Sequence, residues 1–153
     1  MSNNNQGTIR IGRVRTTENQ EKKHYTQMTN EELTYLKNKL HNLNRRNLVI
    51  STHARDKNEF NDADIKQLPF EVTNDMIIEF NRTEKRNFID KRVTVRSKKV
   101  YDVKINGKIE KCNIIAVFSL TTNRVVTVFW NLASDMHESI NMSRYNKDLK
   151  ILP

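Results

Sequence analysis

Residues 113–130 read NIIAVFSLTTNRVVTVFW, and how this stretch folds decides the architecture. Its residues are mostly β-branched or aromatic, the types that suit a pleated, buried surface. Asn113 to Leu120 is apolar at odd and even positions alike, which predicts a central strand covered on both faces. Thr121-Thr122-Asn123 turns the chain, and Arg124 to Trp130 returns as a second buried strand.

Working back from this pair, Tyr101, Val103 and Ile105 alternate with polar residues and are followed by Asn106-Gly107. A two-residue hairpin turn needs positive φ at both positions, and these two residues tolerate it. Before them, Arg92-Val93-Thr94-Val95-Arg96-Ser97-Lys98 alternates strictly. Val93 and Val95 face one way; Arg92, Thr94, Arg96 and Lys98 face the other, about 6–7 Å apart along the strand. The back half is thus expected to be a meander of four antiparallel strands.

The front half has a helical period. Thr29 to Glu32 fits the T-x-x-E capping box. Leu33, Leu36, Leu40 and Leu43 follow on one face of a helix spanning about residues 30–43. Leu48 to Ser51 reads as a short strand or a turn. Helical segments follow over 53–60 and 62–68, with Asp62 as N-cap and Pro69 as terminator. Thr73-Asn74-Asp75 caps one more short helix carrying Met76, Ile77 and Phe80. Residues 131–153 read as loop, with a short helix near 133–140. The expected fold class is α+β, with N-terminal helices packed on the four-stranded antiparallel meander. Residues 1–27 carry Arg10, Arg13, Arg15, Lys22 and Lys23 without regular apolar spacing, and read as a flexible basic arm before a single domain over 28–153.

The 153-residue chain has a formal net charge of +9. Such an excess attracts polyanions: RNA, DNA, or an acidic protein partner or inhibitor. Most of it is local. Residues 82–111 hold eleven Lys or Arg against four acids, a balance of +7 on the first two expected strands and the approach to them. A helix-covered sheet with one uncovered basic face suits an RNA platform, because phosphates of an extended strand repeat at about the same 6–7 Å. The same pattern also fits a solvated strand face or an edge guarded by lysines. Arg86, Arg92, Lys98, Lys99 and, from the front half, Arg55 are the candidate nucleic-acid contacts.

No apolar run approaches the roughly 20 residues that span a bilayer, and MSNNNQGTIRIGRVR lacks the apolar core of a secretory signal. Membrane contact is not expected. The single Cys112 cannot form an internal disulfide and suits a reduced, cytoplasmic setting. One cysteine and four scattered histidines give no zinc pattern, and three scattered glycines give no phosphate loop, so neither metal nor cofactor is expected. Asp102-Val103-Lys104 is the best fragment for a metal nuclease, but no second acid is placed to share an ion.

Metal-independent RNA cleavage needs a base for the 2′-hydroxyl, a cation for the phosphorane and an acid for the leaving oxygen. Histidine suits the proton transfers and arginine the phosphate. His53 and Arg55 sit together in STHARDK, either as a catalytic base beside an anion-binding arginine or as polar residues where a strand gives way to a helix. Arg92 and Arg96 offer cations from the sheet. His137 lies among Asp135, Ser139, Arg144 and Tyr145 in the tail. Trp130 and Tyr145 could stack on bases, although Trp130 follows an apolar strand that favours burial. His24 and His41 carry no assigned role.

Ile50-Ser51-Thr52-His53-Ala54-Arg55 and Val125-Val126-Thr127-Val128-Phe129-Trp130, with the order of helices and strands over about residues 48–131, resemble small prophage and plasmid proteins of the barnase–EndoU–colicin–RelE superfamily. The resemblance implies a metal-independent endoribonuclease, often a toxin. It carries over His53 and Thr127 as active residues, with a strand arginine such as Arg96 at the phosphate; His137, from the residue reading alone, is the candidate for a second proton-transfer group. The alternative is a non-catalytic basic adaptor that grips nucleic acid or a host protein, or a protein that recruits a partner through its leucine stripe.

Overall fold

The apolar pair at residues 113–130 forms two adjacent interior strands of a larger sheet than expected. The computed structural model describes residues 19–55, 60–137 and 141–153, and of Asn19, His53 and Arg55 the backbone alone. The fold is α+β, with seven strands among the described residues: β1 Asn19–His24, β2 Val49–Ile50, β3 Ile77–Glu84, β4 Ile89–Arg96, β5 Tyr101–Ile105, β6 Lys108–Ser119 and β7 Arg124–Leu132. They form one mixed sheet in the order β1-β3-β4-β6-β7-β2, and β5 pairs with β6 as well. Every pairing is antiparallel except β2 with β7. The helices are α1 Asn30–His41, the single turn α2 Thr52–Arg55, and α3 Asp62–Glu71. Among the described residues no helix is long and apolar enough to cross a membrane.

Helix α1 starts on the capping box. Thr29 Oγ1 accepts from Glu32 N–H at 3.1 Å, and Glu32 Oε1 accepts from Thr29 N–H at 3.0 Å. Its Leu36 and Leu40 are fully buried. Together with Ile65 and Leu68 of α3 they cover Val93, Val95, Ala116, Phe118 and Val128 of the sheet, forming the core. Asn61, not Asp62, caps α3, accepting from Ala63 and Asp64 N–H. Pro69 lies inside that helix and does not end it, although its ring removes the N–H that would have bonded the carbonyl of Ile65.

Three strands lie outside the expected four. Asn19–His24, read as part of the basic arm, is β1, at the edge of the sheet among the described residues; residues 1–18 lie outside them. Ile77–Glu84 is a strand preceded by one 3₁₀ turn, because its β-prone Ile77, Ile78 and Phe80 gain a ladder with β4 that a lone helix could not offer. Val49–Ile50 is the short parallel strand β2. The Asn106-Gly107 hairpin is present, with φ of 52° and 82°.

The expected meander is corrected at one point: β4 and β5 do not pair with each other. Both lie on the same side of β6, β4 against residues 115–119 and β5 against 108–112, as one strand interrupted at Ser97–Val100. Side chains repair the break. Asn113 Nδ2 donates to the carbonyls of Ser97 (2.8 Å) and Lys99 (3.2 Å). Ser97 Oγ accepts from Ile114 N–H (2.9 Å) and donates to Lys99 O (2.9 Å). Both residues are buried, so each lost bond would leave a backbone group without water. Asn113→Ala should therefore destabilise the protein by about 1–3 kcal/mol in urea denaturation. An unchanged midpoint and slope would mean the break needs no such bridge.

Candidate functional site

Register assigns each strand residue to a face. The core face carries Val93, Val95, Ala116, Phe118 and Val128. The opposite face carries Lys22 and His24 from β1, Glu79 and Asn81 from β3, Arg92, Thr94 and Arg96 from β4, Val117 from β6, and Thr127 and Phe129 from β7. The expected alternation of β4 is observed: Val93 and Val95 are fully buried, while Arg92, Thr94 and Arg96 are half-buried.

The predicted basic row ends at Arg96. The strand breaks there, which turns Lys98 and Lys99 toward the helical side. Lys98 Nζ lies 3.6 Å from Asp75, and Lys99 Nζ lies 3.8 Å from Asp64 of α3 and over the Tyr101 ring. Arg86 sits exposed in the β3–β4 turn, at the far end of β4 from Arg96. Arg92 is engaged with a buried acid on its own face: its Nε and Nη2 each lie 2.8 Å from Asp90 Oδ2. The other Asp90 oxygen accepts from Ser119 Oγ at 2.7 Å. Arg92 therefore presents less net charge than a free arginine.

Arg96 belongs to a cluster at the end of the open face. After β7 the chain folds back, and the guanidinium of Arg96 donates to Asp135 O and lies 3.3 Å from Met136 Sδ. His137 follows with φ of 58°, its N–H donating to Asp135 Oδ1 at 2.9 Å. Its carbonyl meets Nε2 of His24 at 3.0 Å, and its own Nε2 lies 3.1 Å from Asn131 Nδ2. One segment thus reaches from β7 to β1 beside β4. Arg96, His137, Met136, Tyr25 and Asn74 line a pocket of about 330 Å³.

His24 anchors the arrangement. It is fully buried, with Nε2 facing a carbonyl, so Nε2 carries the proton and Nδ1 accepts from Thr26 N–H (3.3 Å) and Thr26 Oγ1 (2.8 Å). Burial lowers its pKa, against the pull of the His137 carbonyl and Glu79. Tyr145 packs edge-on against this ring at 5.3 Å and donates to Glu79 Oε1 at 2.6 Å. Burial and that carboxylate push the phenol pKa up. Burial also lowers the pKa of His137, with nearby Arg96 acting in the same direction and Asp135 and Glu79 opposing it. At neutral pH both imidazoles are therefore uncharged.

Thr127 is half-buried on the open face, in line with Val117 and Thr94. Trp130 packs on the helical side, stacked on Phe60 at 4.5 Å. Helix α2 packs beside β7, with Ser51 Oγ accepting from Ala54 N–H at its start. The side chains of His53 and Arg55 on that helix lie outside the described residues, as do Ser139 and much of the helix expected over 53–60. Among the described residues no group of three or more His, Cys, Asp or Glu could hold a metal. Local sequence assigns His24 no role, since its neighbours are polar and its partner lies 113 residues downstream. No protein-family model, curated protein or solved structure matches this chain.

A histidine with a lower pKa in the folded than in the unfolded state binds its proton more weakly when folded. Its contribution is complete above the unfolded value near 6.5 and is lost as pH falls through 6.5 toward the folded value. Stability should thus fall between pH 7.5 and 5.5, by at most about 1.4 kcal/mol per pH unit for each histidine. In His24→Gln the slope should shrink. Urea melts at several pH values test this; a flat wild-type profile would contradict it.

Proposed function

We propose that the protein is an RNA-binding, metal-independent endoribonuclease acting from the open face of the sheet. The observation that carries this reading is the meeting of Arg96 and His137 in one pocket at the end of that face. A guanidinium there can bind a phosphate with two hydrogen bonds and stabilise the phosphorane. A histidine of lowered pKa is mostly uncharged at neutral pH and so is available to accept a proton. Asp135 and Glu79 would favour the imidazolium once formed.

In this reaction a base removes the 2′-hydroxyl proton, the 2′-oxygen attacks phosphorus and the bond to the 5′-oxygen breaks. An acid protonates that oxygen, giving a 2′,3′-cyclic phosphate and a 5′-hydroxyl end. Arg96 is the phosphate ligand, His137 one proton-transfer group and Thr127 a hydrogen-bond donor. His53, on the helix beside β7, is the candidate for the other proton transfer. Arg92 adds charge along the face. Lys98, Lys99 and Arg86 lie off this path and contribute to long-range attraction only. The chain's charge of +9 supports a polyanionic partner.

A second reading, a basic adaptor that binds nucleic acid without cleaving it, is favoured by one observation. His137 Nε2 is occupied by Asn131 and its carbonyl by His24, so the imidazole has internal partners to surrender before it moves a proton. The two readings separate on labelled RNA in EDTA. The enzyme cleaves under these conditions, and His137→Ala and Arg96→Ala each lower the rate by about 100-fold or more while the fold persists. Steeply salt-dependent binding with intact RNA identifies the adaptor. Neither binding nor cleavage would overturn both.

A further inference from the structure

We infer that β5 is a dimerisation edge, pairing antiparallel with β5 of a second copy of this chain about a two-fold axis at Val103. Neither Arg96 nor His137 takes part. Among the described residues β5 has a sheet partner, β6, on one side only. The backbone groups of a strand point alternately to its two sides. Lys111 O accepts from Ala133 N–H at 2.8 Å, on the β7 side of β6. Ile114 turns the other way: its N–H donates to Ser97 Oγ and its carbonyl accepts from Ser97 N–H, both at 2.9 Å. By the same alternation Cys112, Glu110 and Lys108 face β5, where they pair with Tyr101, Val103 and Ile105. The N–H and C=O of Asp102 and Lys104 therefore point away from β6. An outward row of this kind is a template for another strand.

Charge selects the occupant and its register. Hydrogen-bonded residues must point at each other, so a self-pairing that keeps most of β5 in register is centred on Asp102, Val103 or Lys104. Centring on Asp102 opposes two carboxylates, and centring on Lys104 opposes two ammonium groups. Centring on Val103 sets each Asp102 opposite the other copy's Lys104, with backbone hydrogen bonds exchanged at both of these pairs. Tyr101 then faces Ile105, and Val103 faces its own equivalent. The strand YDVKI is thus its own complement, as a two-fold interface requires. Asp102 and Lys104 are both exposed. Asp102 already holds Lys111 Nζ at 2.6 Å, so in the dimer its carboxylate lies between two cations. Val100, 48% exposed just before β5, comes opposite the second copy's turn at Asn106. An acidic strand from another protein would instead put a like charge against Asp102. Because the axis is normal to the sheet, the two open faces, each with its Arg96 and His137, lie on one side of the dimer.

The paired edge is short, so the dimer should be weak, with a Kd of about 10–500 µM. Sedimentation equilibrium of the full chain at physiological salt reads it. Asp102→Lys and Lys104→Asp should each weaken self-association by about 10-fold or more, because like charges then face each other at both pairs. An equimolar mixture of these two variants should form a heterodimer, since its charges are opposed again. The double exchange of Asp102→Lys with Lys104→Asp should restore self-association to within about 3-fold of wild type. Lys104→Pro removes an N–H that β6 does not use and should abolish the dimer with the hairpin intact. Thermal melts check that each variant folds. Net charge alone orders the variants differently: Lys104→Asp lowers the chain's charge of +9 and would then strengthen association. A wild type that stays monomeric up to about 1 mM, a Lys104→Asp variant that associates as well as wild type, or no heterodimer in the mixture would each overturn the pairing.

Discussion

The buried imidazole of His24 is the point on which the open face depends. It closes the end of β1 and holds the carbonyl of His137, and Tyr145 packs against its ring. That bond turns a segment leaving β7 back across the sheet, and the turn sets Asp135 and Met136 against Arg96. A neutral ring is required. A protonated one would place a second donor against Thr26 N–H, which already points at Nδ1, and would bury a charge at considerable cost. The lowered pKa is thus the expression of a structural bond before it is anything catalytic.

Strand β1 is held from its other face too. Lys23 Nζ pairs with Glu32 at 2.9 Å and donates to Leu149 O at 3.1 Å. Both charged side chains are buried, so their attraction works at low dielectric and the removal of either would strand the other. Glu32 meanwhile caps α1. Successive residues of one strand therefore serve opposite faces: Lys23 fastens the helix and the C-terminal tail, and His24 fastens the loop that carries His137. Asn146 N–H adds a backbone bond to Lys22 O at 2.7 Å. The tail and the site are coupled through this strand.

Much of this was legible from residue order where burial is driven by apolar side chains. The leucine stripe with its capping box, the Asn106-Gly107 turn, the doubly apolar run at 113–120 and the alternation of 92–96 each state their structure locally. Strand β1 does not. Its buried members are a lysine and a histidine, whose burial is made tolerable by Glu32 of the next helix and by carbonyls more than a hundred residues downstream. The interruption after Arg96 was hidden for a similar reason: Ser97 and Asn113 supply bonds that a pattern of apolar residues cannot announce. Lys98 and Lys99 changed sides with it. Phe129 was masked by the tryptophan beside it, since in an apolar run only register tells which of two adjacent aromatics faces outward.

The central claim is that an uncharged His24, protonated on Nε2, holds the His137 segment over Arg96. Long-range ¹H–¹⁵N spectra of the imidazole rings read this directly. At pH 7 His24 should show a single Nε2–H tautomer with an unprotonated Nδ1, and it should titrate below the ordinary value of 6.5. A charged ring, the Nδ1–H tautomer, or averaging between the two tautomers as in free imidazole would contradict the account.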